Sequence, residues 1–313
     1  MSSAGAPAVA YRALAPAKVN LGLFVGPRRA GDGRHELATV MQSISLADEL
    51  RLEPAPASAP GDELLCPGLP GPPHENLAMR ALAAFRAATG WEGPPQRLTI
   101  DKRIPVAAGL GGGSADAAAA LRLARAASGR GDERLLRELG GELGADVPAQ
   151  VAPGRWLATG AGERLELLAD PLPALELLVL PAATQLATAE VYAALDRLGR
   201  GRDGRELPRL AEQLRAAAEL GAPLPAAREL LHNDLQEAAL SLRPQIARTL
   251  AAVDEAGAQA LVSGSGPTVI GLFSHANAAG RRERAQAALA GFAPGAIAAR
   301  SVGVGFGDPV AVA

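Results

Sequence analysis

Thiols are nearly missing from this 313-residue chain. Cys66 is its one cysteine, which rules out an intrachain disulfide and any zinc or iron–sulfur cluster built from thiolates, and suits a reducing compartment. Lysine is almost as scarce, since Lys18 and Lys102 are the only lysines among 31 basic residues. An ammonium is a compact, rotatable charge whose pKa can be shifted, which arginine does not supply. Both lysines are therefore candidates for chemistry, against the plainer reading that two survived in an arginine-biased composition. An excess of charge of either sign is missing too: 31 basic and 33 acidic residues nearly cancel, and no block of like charge stands out. That balance argues against a nucleic acid or a membrane surface as partner. Long apolar runs are also lacking. The longest region, Leu172 to Leu195, is interrupted by Glu176, Pro181, Gln185 and Glu190, and no basic segment followed by an apolar one opens the chain. Neither a membrane span nor a secretory signal is expected, and the protein is expected to be soluble and cytoplasmic.

What is abundant is glycine (36) and proline (25), scattered between periodic segments as punctuation of a compact fold. The length suits two domains, and Pro171-Leu172-Pro173 marks the best boundary, giving 1–170 and 171–313. Residues Ala15 to Val25 alternate as a strand, with Ala17, Val19, Leu21, Leu23 and Val25 on one face and Lys18, Asn20 and Gly22 on the other. A helix is expected over Leu77–Thr89, with Asn76 as cap and Gly90 as stop, and a short strand over Arg97–Ile104. Asp132 caps a shorter helix ending near Gly144, after which Asp146 should enter a strand because Pro148 biases its neighbour to extended backbone. A hairpin over Ala149–Leu168 closes the first half. The second half reads as a strand at Leu175–Leu180, helices at Ala189–Leu198, Pro208–Glu219, Asp234–Leu242, Pro244–Ala256 and Arg281–Leu289, and a last strand at Ala298–Phe306. Gly199–Gly204 reads as a mobile linker with solvated arginines. Helices mixed with non-repeating strands imply an α+β architecture.

The segment from Ile104 to Asp116 carries the most chemistry. Gly109, Gly111, Gly112 and Gly113 let the backbone turn tightly and leave its N–H groups open to one anion. Ser114 stands where an N-cap is expected, and the alanine-rich run to Ala127 favours a helix whose positive end faces the glycines, as at phosphate sites. A structural glycine turn is the competing reading. The P-loop mechanism is excluded because the chain contains no Gly-Lys pair, and Ser114 stands where a dinucleotide fingerprint needs its third glycine. Ser263-Gly264-Ser265-Gly266 offers a second set of uncovered N–H groups, or else an ordinary hairpin turn. Asn233 with Gln236 fits a capping box, Asp116 is expected to point away from any phosphate, and His74, His232 and His275 lack metal-ligand spacing and read as surface residues.

Taken in order, Pro16-Ala17-Lys18-Val19-Asn20-Leu21, Pro105-Val106-Ala107-Ala108-Gly109-Leu110-Gly111-Gly112-Gly113-Ser114-Ala115 and Ser263-Gly264-Ser265-Gly266-Pro267-Thr268 resemble the three motifs of the GHMP small-molecule kinases. Supporting segments are Asp32 to Leu37, Glu75-Asn76-Leu77, Leu143 to Pro148 and Gly160 to Glu163, so the likeness spans nearly the whole chain. The resemblance implies a two-domain fold, a ribosomal protein S5 domain 2-like N-terminal domain and a ferredoxin-like C-terminal domain, with the active site in the cleft between them. It implies ATP held along Pro105 to Ala115, Mg2+ with the ATP and Ser114 as its first candidate ligand. It further implies Lys18 and Asp146 as the catalytic pair, and a small-molecule substrate with a cytidine diphosphate moiety bound by Asn20, Arg34, His35, Tyr192, Gly264, Ser265 and Gly266. The implied reaction is phosphorylation of the 2-hydroxyl of diphosphocytidyl-methylerythritol on the non-mevalonate route to isoprenoid precursors. The family usually carries Tyr-His where this chain has Arg34-His35; a guanidinium plane can also stack on a base, with Tyr192 covering the other face. The chemistry agrees, since phosphoryl transfer to an alcohol needs alignment, charge neutralisation and a proton acceptor, roles open to Lys18 and Asp146. The alternatives are a sibling kinase acting on homoserine, mevalonate-type or sugar substrates, and a nucleotide-binding regulator without turnover.

Overall fold

The computed structural model describes residues 9–69, 71–182, 184–219, 228–273 and 277–312; His275 lies outside them. Two strands far longer than the sequence suggests form the spine: β1 (Ala10–Arg28) and β2 (His35–Pro54), paired antiparallel along most of their length. Their length follows from burial on both faces, where an apolar run needs no polar alternation. Because β2 is so long, its first half pairs β5 (Arg155–Gly160) and its second half pairs β4 (Gln96–Asp101). A short parallel strand, β3 (Glu63–Leu65), and the hairpin strand β6 (Arg164–Leu168) complete that side. The β1–β2 register shifts between Pro16 and Lys18 and again between Asn20 and Gly22, so irregularities bracket the two polar residues singled out on β1.

One face of this sheet is covered by α1 (Leu77–Thr89), α2 (Gly112–Ser128), α3 (Glu133–Leu143) and the short α4 (Val147–Val151). Asn76 caps α1 by accepting from Ala78 N–H, and Asp132 caps α3 by accepting from Leu135 N–H, both as expected. Helix α2 is buried on nearly every side from Ala115 to Ala124, against Leu50, Leu98 and Ile100 of the sheet and Phe85 of α1. Alanine serves there for size as well as propensity, since small side chains let neighbouring backbones approach.

The second sheet holds β7 (Glu176–Leu180), β8 (Gln259–Val262), β9 (Val269–Phe273) and β10 (Ile297–Arg300) in the antiparallel order β10-β7-β9-β8. Helices lie between β7 and β8 and between β9 and β10, which gives the ferredoxin-like arrangement. Strand alternation divides its residues: Leu178, Leu180, Val262, Val269 and Phe273 pack with α5 (Thr188–Leu198), α7 (Gln236–Leu242), α8 (Ile246–Glu255) and α9 (Ala278–Leu289). Leu177, Val179, Ile270 and Leu272 face the first sheet, joining Val19, Leu21, Ile44 and residues of α6 (Glu206–Glu219) in one core. The expected last strand ends at Arg300; the chain then returns as β11 (Val310–Val312) to the edge of β1.

Residues 199–204 are largely exposed, as expected of a solvated segment, but Arg202 among them is half-buried and anchored. Arg202 forks onto Asp234 with contacts of 2.8–3.1 Å, and Asp234 also accepts from Val25 N–H at 2.9 Å and faces His232 Nε2 at 2.8 Å. The arginine-glycine segment is a strap across β1. Among the described residues no helix is long and apolar enough to cross a membrane.

Candidate active site

The glycine loop is built from three contacts that the sequence does not display. Lys18 N–H donates to Leu110 O at 2.9 Å, pinning the loop to β1. Gly109 and Gly111 both have left-handed backbone (φ +74° and +70°), and a Cβ on Gly109 would stand 2.7 Å from Gly266 O. A Cβ on Gly111 would stand 3.0 Å from Lys18 Cγ. Only glycine fits either place. The three motifs, distant in sequence, meet there.

Helix α2 starts earlier than expected. Gly111 is its N-cap and Ser114 lies inside the first turn, because Gly112 and Gly113 take helical backbone. Ser114 is half-buried and lines two clefts at once. The first, about 680 Å³, runs along Pro105 to Ser114 and is walled by Leu64, Cys66, Leu69, Pro72, Pro73, Asn76, Leu77, Lys102 and Asp116. The second, about 770 Å³, contains Lys18, Asn20, Arg34, His35, Asp146, Tyr192, Gly264 and Ser265. Gly109, Gly111 and Ser114 belong to both, so the clefts join under the loop. Two expected residues lie off the walls: Ala115 is 1 % exposed within the α2 core, and Gly266 supports Gly109 from behind.

At the junction Lys18 Nζ lies 3.3 Å from Asp146 Oδ2 and donates to Asn20 Oδ1 at 2.9 Å. Asn20 Nδ2 in turn donates to Thr39 Oγ1 at 2.8 Å. Asp146 precedes a helix rather than the expected strand: Pro148 sits at the second position of α4, where a missing N–H costs nothing. Nor does Asn233 form the expected capping box, because α7 starts at Gln236 after Leu235. Its amide instead donates to Val262 O and Gly264 O at 2.8 and 2.7 Å, bracing the 263–266 turn.

At the far end of the second cleft the His35 and Tyr192 rings lie 5.2 Å apart at 37°. His35 Nδ1 faces Gly26 O at 2.8 Å, and its Nε2 stands 3.2 Å from Asp196 Oδ1 without a well-aligned hydrogen bond. Burial pushes the Tyr192 phenol up to about 12, helped by Asp146 and opposed by Arg34. Arg34 Nη2 donates to Ala161 O at 2.6 Å.

Lys102, the second lysine, bridges Asp48 and Asp116 on the wall of the first cleft, 2.7 Å from Asp116. Asp48 also accepts from the N–H groups of Arg103 and Ile104 at 2.5 and 2.8 Å, at the start of the loop. Asp116 is thus engaged by Lys102 while still lining the first cleft. Burial pushes its carboxyl up to about 7, with Lys102 pulling the other way. Asp48 and Thr39 carried no sequence signal beyond a polar residue on an otherwise apolar strand; only the tertiary neighbours reveal them.

Two parts of the chain match the descriptions of one family: residues 76–154 as the GHMP kinases N terminal domain and residues 179–291 as the GHMP kinases C terminal domain. The chain belongs to the GHMP kinases, ATP-dependent small-molecule kinases with this two-domain α+β fold. Within that family it is 44 % identical over 302 residues to a Nocardia farcinica protein named 4-diphosphocytidyl-2-C-methyl-D-erythritol kinase, covering 92 % of this chain and 91 % of the relative. A crystal structure of 4-(cytidine 5'-diphospho)-2C-methyl-D-erythritol kinase superposes with a TM-score of 0.73 at 36 % identity, covering 93 % of this chain and 99 % of that one. Homoserine kinase from Cytophaga hutchinsonii shares the fold, with a TM-score of 0.72 at 17 % identity over 100 % of this chain and 99 % of its own.

Proposed function

We propose that this chain transfers the γ-phosphoryl group of ATP to the 2-hydroxyl of 4-diphosphocytidyl-2-C-methyl-D-erythritol, giving the 2-phosphate and ADP. The observation that carries the reading is the junction itself: two clefts meet under one glycine loop, and the Lys18–Asp146 pair stands in the second cleft at that meeting point. The first cleft takes the nucleotide, with phosphates on the N–H groups of 109–114 and the positive end of α2. Asp146 accepts the hydroxyl proton as the alcohol attacks, while Lys18, oriented by Asn20, holds Asp146 in place and faces the charge developing on the transferring group. Binding both partners in line supplies most of what phosphoryl transfer requires.

Magnesium fits this arrangement as a companion of the nucleotide. Among the described residues no group of three or more His, Cys, Asp or Glu could hold a metal, and Ser114 offers a hydroxyl at the junction. Such a site suits an ion held chiefly by phosphates and water, which would neutralise charge on the β- and γ-phosphates. We divide the chain functionally at residue 170, with 1–170 carrying the glycine loop and 171–313 closing the second cleft, and place it in the cytoplasm, where its single cysteine stays reduced.

The test is ADP release with Mg-ATP, comparing the diphosphocytidyl acceptor with homoserine and mevalonate at matched concentrations. Turnover confined to the first acceptor is the expected result. Turnover with another alcohol would keep the kinase and replace the substrate, and silence with all three would overturn the reading.

A further inference from the structure

The second cleft carries three basic side chains on its wall, Lys18, Arg28 and Arg34. Two of them are already engaged by carboxylates. Lys18 faces Asp146 at 3.3 Å, and Arg28 forks onto Asp196 at 2.9 and 2.5 Å. Arg34 differs: its guanidinium donates to a neutral acceptor, Ala161 O, and no carboxylate lies within ion-pair distance of it among the described residues. Asp32 touches only the Arg34 backbone N–H, at 3.1 Å, and its carboxylate is engaged by Arg29. One contact to a carbonyl leaves most of the five guanidinium donors open.

The position of Arg34 is fixed by its surroundings. Arg29 N–H donates to Arg34 O at 2.8 Å, Gly33 N–H donates to Arg29 O at 3.0 Å, and Arg29 reaches Glu163 at 2.6 Å, so the turn is fastened to the β5–β6 hairpin. The side chain is therefore presented to the cleft on a braced turn, and little ordering remains to be done on binding. Tyr192 lies within electrostatic reach of both Arg34 and Asp146. The guanidinium thus shares one stretch of wall with the His35–Tyr192 ring pair and with the reactive pair.

We infer that Arg34 is the cation that neutralises the phosphoanhydride of the acceptor, selecting a nucleoside diphosphate over a nucleoside through charge rather than by stacking on the base. The inference rests on the kinase reading above and specifies how its acceptor is recognised. A planar guanidinium offering paired donors matches a diphosphate, and an uncompensated charge in a cleft gains most from an anion.

The experiment is calorimetric binding of CDP and of cytidine to the full chain, with the nucleotide cleft filled by a non-hydrolysable ATP analogue, for wild type and for Arg34→Lys, Arg34→Gln and Arg34→Tyr. Wild type is expected to bind CDP about 10- to 100-fold more tightly than cytidine, with an advantage that shrinks as salt rises. Arg34→Lys should retain most of that ratio, whereas Arg34→Gln and Arg34→Tyr should lose it while still binding cytidine. The inference is overturned if Arg34→Tyr keeps the ratio and Arg34→Lys loses it, which is the signature of stacking. It is also overturned if all three variants weaken CDP and cytidine equally, the signature of a structural role. Wild type that binds neither ligand would overturn the kinase reading itself, a result distinguishable from both.

Discussion

Lys18 Nζ stands 3.3 Å from Asp146 Oδ2, an ion pair joining the middle of β1 to the N-terminus of α4 beneath the glycine loop. Lys18 is 8 % exposed and Asp146 half-buried, so the pair is shielded from one side and open to substrate from the other. Asp146→Ala should leave nucleotide binding intact and reduce kcat by about 100-fold or more, the range for removing a general base. Pre-steady-state ADP formation with a parallel nucleotide titration checks it; normal turnover in this variant would refute the assignment of the base.

Asn20 orients that pair through a chain running Thr39, Asn20, Lys18. Asn20→Ala removes the acceptor for a buried ammonium and leaves Thr39 unpaired, so kcat should fall by roughly 10-fold, with Thr39→Val giving a smaller change in the same direction. If the chain acts as a unit, the double variant should cost less than the sum, measurable as a double-mutant cycle.

Glycines of the loop should differ sharply in tolerance. Gly111→Ala forces a side chain into left-handed backbone and sets its Cβ 3.0 Å from Lys18 Cγ. Thermal denaturation should show a loss of about 1–2 kcal/mol from the backbone alone. Gly109→Ala is worse placed, because its Cβ meets the unyielding Gly266 O at 2.7 Å. Gly113→Ala meets nothing within 4 Å and should gain up to about 1 kcal/mol as a helical alanine.

Stability should fall as pH rises through the range set by Asp116. Burial holds its folded carboxyl near 7, above the model-peptide value of 3.8, so the folded state binds the extra proton between those values and loses that advantage on ionising. Asp116→Asn cannot ionise. The stability difference between wild type and this variant should therefore shift in the variant's favour as pH rises from about 4 to 7, read by urea denaturation at a series of pH values. A constant difference would show that Asp116 keeps an ordinary pKa.

The strap over β1 gives a last expectation. Asp234 accepts from Arg202, His232 and Val25 N–H, and although burial alone would raise its carboxyl, those hydrogen bonds hold it below the usual range. Asp234→Ala leaves Arg202 and the Val25 N–H without their acceptor and should cost on the order of 2–3 kcal/mol in urea denaturation, with Asp234→Asn recovering part of the loss.

The sequence by itself determined what local chemistry can determine. Glycine at 109 and 111 is readable because left-handed backbone tolerates little else. The caps Asn76 and Asp132 are readable because each side chain answers an N–H two or three residues on. Alternation on β1 placed Lys18 and Asn20 on one face. Tertiary structure decided everything that depends on distant partners. Asp48 and Thr39 look ordinary in sequence and Asn233 looks like a helix cap, and they acquire their roles only when Lys102, Asn20 and Gly264 are brought to them. Arg202, within the largely exposed arginine-glycine strap, gains its partner only because Asp234, far along the chain, is brought to it. Asp146 leads into a helix although Pro148 biases its neighbour to extended backbone, because proline can begin a helix and α4 packs against α2 and α3. Local rules fix backbone conformation within a few residues, whereas charge pairing and cleft geometry are properties of contacts that only the closed fold supplies.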